Sequence, residues 1–280
     1  MEIKLGLESV SPHTVAVSSI PGGNCAGIAL NEFVIAIDST MFPKTGTNLR
    51  EKLEKKFGLP VKFLFVTHSH GDHVFGMKAF KDTTIIGSSK LASVMVENVK
   101  TRWTPEALDE WKKENPEIAP LLEEVEIVFP SVGFETKLEI IDGDLKLELY
   151  QSGGHTACSS YAYFPYEKVL FSGDLIFAKT FPYASDPSCN PDLWIQTLEH
   201  FLTLDVEKFV NGHGPVVDRT EIEKHLTFFK DFRDRIKKAI AAGESTDTIQ
   251  MPDFYEDESG KRKKTALEHW YTFYQKKFRK

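Results

Sequence analysis

Short apolar runs separated by turn residues dominate the first 87 positions and predict a series of strands. Thr14–Val17 is the first, followed by a turn at Pro21-Gly22-Gly23-Asn24. Ala26–Leu30 and Glu32–Ile37, split by Asn31, form a hairpin whose second strand ends at Asp38. Leu49–Phe57 reads as a helix stopped by Gly58 and Pro60, and Val61–Val66 and Thr83–Ile86 as two further strands. Residues 88–123 change character. Ser89 starts a helix with Leu91, Val94, Met95 and Val99, and Thr104-Pro105 opens another with Leu108 and Trp111 on one face. This insertion covers a site, makes an interface or only packs. Strands return at Glu126–Phe129, Leu138–Ile141, Leu145–Tyr150, Ser160–Phe164 and Val169–Phe171, with a hairpin turn at Asp142-Gly143. The clearest helical period covers 220–242, capped by Thr220 and followed by Gly243. The polar stretch Asp257–Lys264 leads to an aromatic-rich helix with Leu267, Trp270, Tyr271, Tyr274 and Phe278. The pattern predicts an α/β core over 1–218, with the helical insertion at 88–123, and C-terminal helices over 219–280 packed on it.

The densest chemistry follows the Val61–Val66 run. Thr67-His68-Ser69-His70-Gly71-Asp72-His73 places four metal-ligand side chains within six positions. Neutral imidazole and carboxylate suit a borderline divalent ion such as zinc. In an extended segment His68 and His70 point the same way, whereas the adjacent Asp72 and His73 diverge toward a second position. Three more candidates stand singly beside glycines: His155 in Gly-Gly-His-Thr, Asp174 in Ser-Gly-Asp and His213 in Asn-Gly-His-Gly. Asp174 is expected just past a strand, as is His155. Seven ligands are too many for one tetrahedral ion and suit two, so the residues themselves point to a two-metal hydrolytic site. His13, His200, His225 and His269 have no ligand neighbourhood and are expected at surface or partly buried positions. Cys158 is expected as a small buried thiol.

Composition narrows the partners. A net charge of −7 and a pI near 5.8 disfavour a nucleic-acid ligand, which wants a basic face. Three cysteines without a Cys-x-x-Cys pair suit a reducing compartment. The N-terminus has no charged segment leading into an apolar one, and no stretch approaches membrane-span length. The expectation is a soluble cytoplasmic protein that acts on a small molecule. A second copy of the chain is the candidate partner, through the aromatic C-terminal helix or the insertion.

The ordered set His-x-His-x-Asp-His, Gly-His-Thr, Ser-Gly-Asp and Gly-His-Gly resembles the metallo-β-lactamase superfamily over nearly all of residues 13–218. The resemblance implies an αββα four-layer sandwich of two mixed sheets with a binuclear site at one edge. It implies that His68, His70 and His155 hold one ion, that Asp72, His73 and His213 hold the other, and that Asp174 bridges them. Asp38 matches an aspartate that orients the metal loop from behind, and Asp72 one that orients the attacking nucleophile. The implied cofactors are two divalent ions, zinc first, with iron or manganese as alternatives. An aspartate at 174 departs from the true β-lactamases, which carry cysteine or serine near that place. It resembles instead the glyoxalase II, lactonase and general hydrolase branches, which act on ester, thioester or lactone carbonyls. Phe177 departs from the tyrosine of the quorum-quenching lactonases. Persulfide dioxygenases of the superfamily, with a single iron, supply an alternative, and a catalytically silent metal-binding protein a third. Residues 177–192 are expected to pass the cleft, with Phe177, Phe181 or Tyr183 as an apolar wall and Lys179 as an anion contact.

Overall fold

A computed structural model describes residues 4–18, 22–257 and 259–279. Residues 1–3 of the N-terminal segment, Pro21 of the first turn, Glu258 of the polar stretch and the terminal Lys280 lie outside the described residues. Two mixed sheets form the centre. The first has seven strands in the order β1 (Glu8–Ser11), β2 (Thr14–Val17), β3 (Cys25–Ala29), β4 (Val34–Ile37), β5 (Val61–Phe65), β6 (Thr84–Ser88) and β7 (Val132–Phe134). It is antiparallel from β1 to β4 and parallel from β4 to β7. The second has five, ordered β12 (Lys208–His213), β11 (Val169–Phe177), β10 (Ser160–Phe164), β9 (Leu145–Gln151) and β8 (Lys137–Asp142). There only β11 and β12 run parallel.

The sheets face each other across Ala26, Ile28, Ile35, Ile37 and Phe65 from one side and Leu147, Leu149, Ala162, Phe164 and Phe171 from the other. Each outer face is covered by helices, which makes four layers. On the first sheet, Leu49 and Leu53 of α1 (Pro43–Phe57) and Leu91 and Met95 of α3 (Ser89–Thr101) pack against Val34, Leu64 and Ile85. On the second lie α6 (Pro191–Phe201), α7 (Arg219–Ala241) and α8 (Arg262–Phe278), through Trp194, Leu198, Phe229, Phe232 and Trp270. The αββα sandwich expected from the sequence is the observed architecture. The short helices α2 (Gly71–Val74), α4 (Pro105–Glu114) and α5 (Ala119–Leu122) complete the set. Among the described residues no helix is long and apolar enough to cross a membrane.

Several local expectations shift. α1 begins at Pro43, six residues before the apolar period, and ends at Gly58 in the left-handed region. Ser88 rather than Ser89 caps α3, its hydroxyl accepting from the Leu91 N–H. Asp218 rather than Thr220 caps α7, its carboxylate accepting from the Thr220 N–H at 2.9 Å. Residues 126–129 form no strand. Val125, Ile127 and Val128 pack half-buried on the outer cluster, and pairing with β6 begins only at Val132. His225 is fully buried, not superficial, because its ring nitrogens meet the carbonyls of Glu221 at 2.9 Å and Phe177 at 3.0 Å.

Candidate metal centre

All seven candidate ligands converge at one edge of the sandwich. β5 ends at Phe65 and is followed by a loop with a bend at Ser69 that carries His68 and His70; His70 then precedes α2, which carries Asp72 and His73. His155 lies in the turn after β9. Asp174 is not past a strand but within β11, where the pairing with β12 slips at Gly173. His213 is the last residue of β12. A side chain on the neighbouring Gly212 would place its Cβ 1.9 Å from Asp174 Oδ1, so glycine there is what lets the two strands bring the aspartate and the histidine together.

One group comprises His68, His70, His155 and Asp174, with ligand atoms all within 4.8 Å of one another. His70 Nδ1 is 3.0 Å from His68 Nε2 and 3.1 Å from His155 Nε2. Asp174 Oδ2 stands 3.6 Å from His68 Nε2 and 3.5 Å from His155 Nε2. Bonds of about 2.0–2.1 Å to a tetrahedral zinc set its ligands about 3.3 Å apart, so these are metal-ligand spacings. The second group is Asp72, His73 and His213. Asp72 Oδ2 is 3.7 Å from His73 Nε2 and 3.5 Å from His213 Nε2. Asp174 reaches this group as well, with Oδ1 3.1 Å from His73 Nε2 and Oδ2 3.3 Å from His213 Nε2.

The donor atoms test whether ions fit. His73 Nε2 and Asp174 Oδ1 are buried and have no hydrogen-bond partner, although only 3.1 Å apart. Buried polar atoms are rarely left so, because an unmade bond costs about 1–3 kcal/mol. A cation held between them satisfies both.

Groups behind the ligands set which nitrogen is free. Asp38 Oδ1 accepts from the Thr67 backbone N–H at 2.8 Å, and Oδ2 from the Thr67 hydroxyl at 2.8 Å and from His73 Nδ1 at 2.8 Å. In the neutral ring the His73 proton therefore sits on Nδ1 and the Nε2 lone pair faces the cleft. Having donated to Asp38, the Thr67 hydroxyl accepts from His68 Nδ1 at 3.1 Å, which leaves His68 Nε2 free as well. His70 is reversed: its Nε2 meets Asp186 Oδ2 at 3.2 Å and its Nδ1 faces the ligand group.

The electrostatics differ between the two groups. Burial, reinforced by the neighbouring imidazoles, drives His68 well below the usual histidine range, and burial takes His155 down to about 3. Burial also opposes charge on His73 and His213. There the Asp174 carboxylate, helped by Asp38 and Asp72 at His73 and by Asp72 at His213, outweighs it and raises both. Burial works against the ionised form of Asp174, but His213, His73 and His68 hold it well below the usual carboxylate range. Two neutral imidazoles and an ionised carboxylate form a ready ligand set.

The centre opens into a cleft of about 670 Å³ lined by Met41, Asp72, Arg102, Trp111, Phe177, Tyr183, His213 and Arg262, among others. Phe177 and Tyr183 of the expected wall are in place, and the Phe177 ring stacks on His213 at 4.9 Å. Phe181 and Lys179 are not. Phe181 is 1% exposed and packs edge-on against Phe228 and Phe254. Lys179 takes a left-handed backbone, and its ammonium pairs with Glu221 at 3.0 Å, away from the cleft. The insertion contributes Arg102 and Trp111, so part of it covers the site. Cys158 is buried as expected, 3.5 Å from the Ser69 hydroxyl. Sequence reading missed Asp186, Arg102 and Arg262. Asp186 is 4% exposed, and burial opposes its charge, but hydrogen bonds from His70 and Ser188 hold it far below the usual carboxylate range. Its only local signal is the Asp-x-Ser turn, in which Ser188 N–H and hydroxyl bind Oδ1.

With fold and site in place, the family model of the metallo-beta-lactamase superfamily matches residues 21–213. The chain belongs to that superfamily, whose members are mainly metal-dependent hydrolases. It is 28% identical over 201 residues to the metallo-beta-lactamase type 2 of Bacillus cereus, covering 69% of this chain and 68% of that one. It is 26% identical over 224 residues to the 2,4-dinitroanisole O-demethylase subunit alpha of Nocardioides sp. (strain JS1661), covering 77% of this chain and 60% of the relative. A solved structure of the sec-alkyl sulfatase PisA1 superposes with a TM-score of 0.74 at 16% identity over 96% of this chain, which spans 50% of that longer one.

Proposed function

We propose that this protein is a binuclear metal-dependent hydrolase, zinc in its resting form, acting on an ester, thioester or lactone carbonyl. The observation that carries the reading is Asp174, whose carboxylate lies within 3.6 Å of His68 and His155 on one side and of His73 and His213 on the other. His68, His70 and His155 would hold one ion, Asp72, His73 and His213 the other, and Asp174 would join them. Ions so held supply Lewis-acid polarisation of a substrate oxygen and a nucleophilic water near neutral pH.

The chain's own residues do the rest. Asp38 and Thr67 fix the tautomers of His73 and His68, and Asp186 that of His70. Asp72, half-buried and facing the cleft, orients the attacking water and takes its proton on a carboxylate oxygen. Trp111, Tyr183 and Phe177 give the substrate an apolar surface beside the reacting bond. The relatives' names, a lactamase, an O-demethylase and an alkyl sulfatase, refer to different bonds. The choice of an ester, thioester or lactone over a lactam rests instead on aspartate at 174, where the resemblance puts cysteine or serine in true β-lactamases.

The test is elemental analysis of the purified protein, together with turnover of esters, thioesters and lactones before and after chelation. Two zinc ions per chain, with turnover lost on chelation and restored by zinc, is the expected result. A single iron with oxygen uptake on a persulfide overturns the reading, as does full metal loading with no turnover in the panel.

A further inference from the structure

We propose that Arg262 forms an anion-binding subsite in the metal cleft, so that the substrate carries an oxyanion group (carboxylate or sulfonate) on an apolar body, apart from the bond that is cut. The proposal rests on the hydrolase reading above and names its substrate class. Arg262 is the first residue of α8, beyond the stretch matched by the family model, yet it lines the same cleft as Asp72, Asp174 and His213. Its Nη1 donates to the Phe181 carbonyl at 2.9 Å, and its guanidinium carbon stands 5.9 Å from the centre of the Phe177 ring. The same Phe177 ring stacks on His213 at 4.9 Å, so one aromatic side chain touches both the arginine and a candidate ligand.

Arg262 differs from the other cations of the cleft in its pairing. Among the described residues no carboxylate comes within ion-pair distance of its guanidinium. Asp257, the nearest acid along the chain among the described residues, accepts the Lys263 backbone N–H at 2.9 Å and a backbone bond from Arg262 instead. Arg102, the other cleft arginine, differs: it meets Asp186 Oδ2 at 3.3 Å, and that carboxylate also holds His70. A planar guanidinium with spare N–H donors, pinned by one bond and an aromatic face, is preorganised for a bidentate oxyanion. Trp111, Tyr183 and Met41 supply the apolar surface for the remainder of the ligand.

The test uses the zinc-loaded protein and two matched pairs. For turnover, 4-nitrophenyl pentanoate is compared with its carboxylate counterpart, mono-4-nitrophenyl glutarate. For binding, calorimetry compares 2-naphthalenesulfonate with the neutral methyl 2-naphthyl sulfone. The wild type is expected to favour the anionic member of each pair by about ten- to hundred-fold, the range for a hydrogen-bonded charge. Arg262→Gln should collapse both ratios toward unity. Arg262→Lys should keep part of them, and Lys263→Ala, which lies outside the cleft, should keep them whole. Loss of the sulfonate preference in Arg262→Gln without any ester turnover supports the subsite while sinking the hydrolase reading. Equal handling of both members by the wild type overturns the proposal, as does a folded Arg262→Gln that keeps both ratios.

Discussion

Replacing Asp38 by asparagine tests how the metal loop is held. The carboxylate is 2% exposed and takes three hydrogen bonds, one from the Thr67 backbone N–H on Oδ1 and two, from the Thr67 hydroxyl and His73 Nδ1, on Oδ2. An amide offers one acceptor and one donor end. With oxygen toward His73, the new NH₂ faces the Thr67 backbone N–H and leaves both unpaired. With NH₂ toward His73, the imidazole can pair only by moving its proton to Nε2, the nitrogen that faces Asp174. The first arrangement costs about 1–3 kcal/mol of folding stability, the usual penalty for an unmatched buried donor. The second turns the proposed metal nitrogen into a donor, and loss of such supporting partners costs about 10–100-fold in metal affinity. On the proposed two-zinc reading, Asp38→Asn should therefore bind zinc in two separated steps, the weaker shifted by about 1.4–2.7 kcal/mol. Competition titration against a chromophoric zinc chelator reads the steps, and urea unfolding of metal-free protein reads the stability. A folded Asp38→Asn that binds both ions as tightly as the wild type refutes the reasoning.

Two further outcomes follow from packing and charge. Phe181→Ala removes a side chain that is 1% exposed between Phe228 and Phe254, and should cost about 3–5 kcal/mol in urea unfolding with metal content unchanged. A loss under about 1 kcal/mol together with a raised KM would return Phe181 to the substrate wall. Burial opposes the charge of Glu148, but Lys146, Tyr150 and Lys137 outweigh it and lower its pKa from 4.5 to about 2. A depressed carboxylate stabilises the fold above its unfolded pKa and loses that contribution as pH falls through the folded value. The full shift corresponds to about 3 kcal/mol, but the partner lysines are 39% exposed and screened, which brings it to about 1. Glu148→Gln should be about 1 kcal/mol less stable at pH 7, with the gap shrinking as pH falls toward 2; an undiminished gap at pH 2 counts against the assignment.

What the sequence determined by itself is what neighbouring residues decide. Strands β2 and β10 begin and end where the runs read from the sequence do, and Pro165, which has no N–H to offer a ladder, follows β10 directly. His68 and His70, two positions apart in the loop after β5, share one ligand group as the spacing predicts, and Asp72 and His73 fall in the other because the chain turns into α2. Gly58 ends α1 through a backbone angle that is open to glycine. Partners far apart in the chain were decided by the tertiary structure. Asp186 lies 116 positions from His70, and its local Asp-x-Ser turn does not tell that it faces that histidine. Val169–Phe171 looked like a whole strand, yet β11 runs on to Phe177 because β12 supplies a parallel partner, and so Asp174 sits inside a sheet. Phe181 and Lys179 follow the same rule. Both were expected in the cleft from their distance past Asp174, but α7 offers Phe228 to the ring and Glu221 to the ammonium. His225, on the polar flank of α7 by periodicity, is buried because the Phe177 carbonyl, 48 positions away, needs a donor there. Periodicity tells which residues share a face; what covers that face is decided only when distant segments pack, and burial, charge and pairing all depend on the cover.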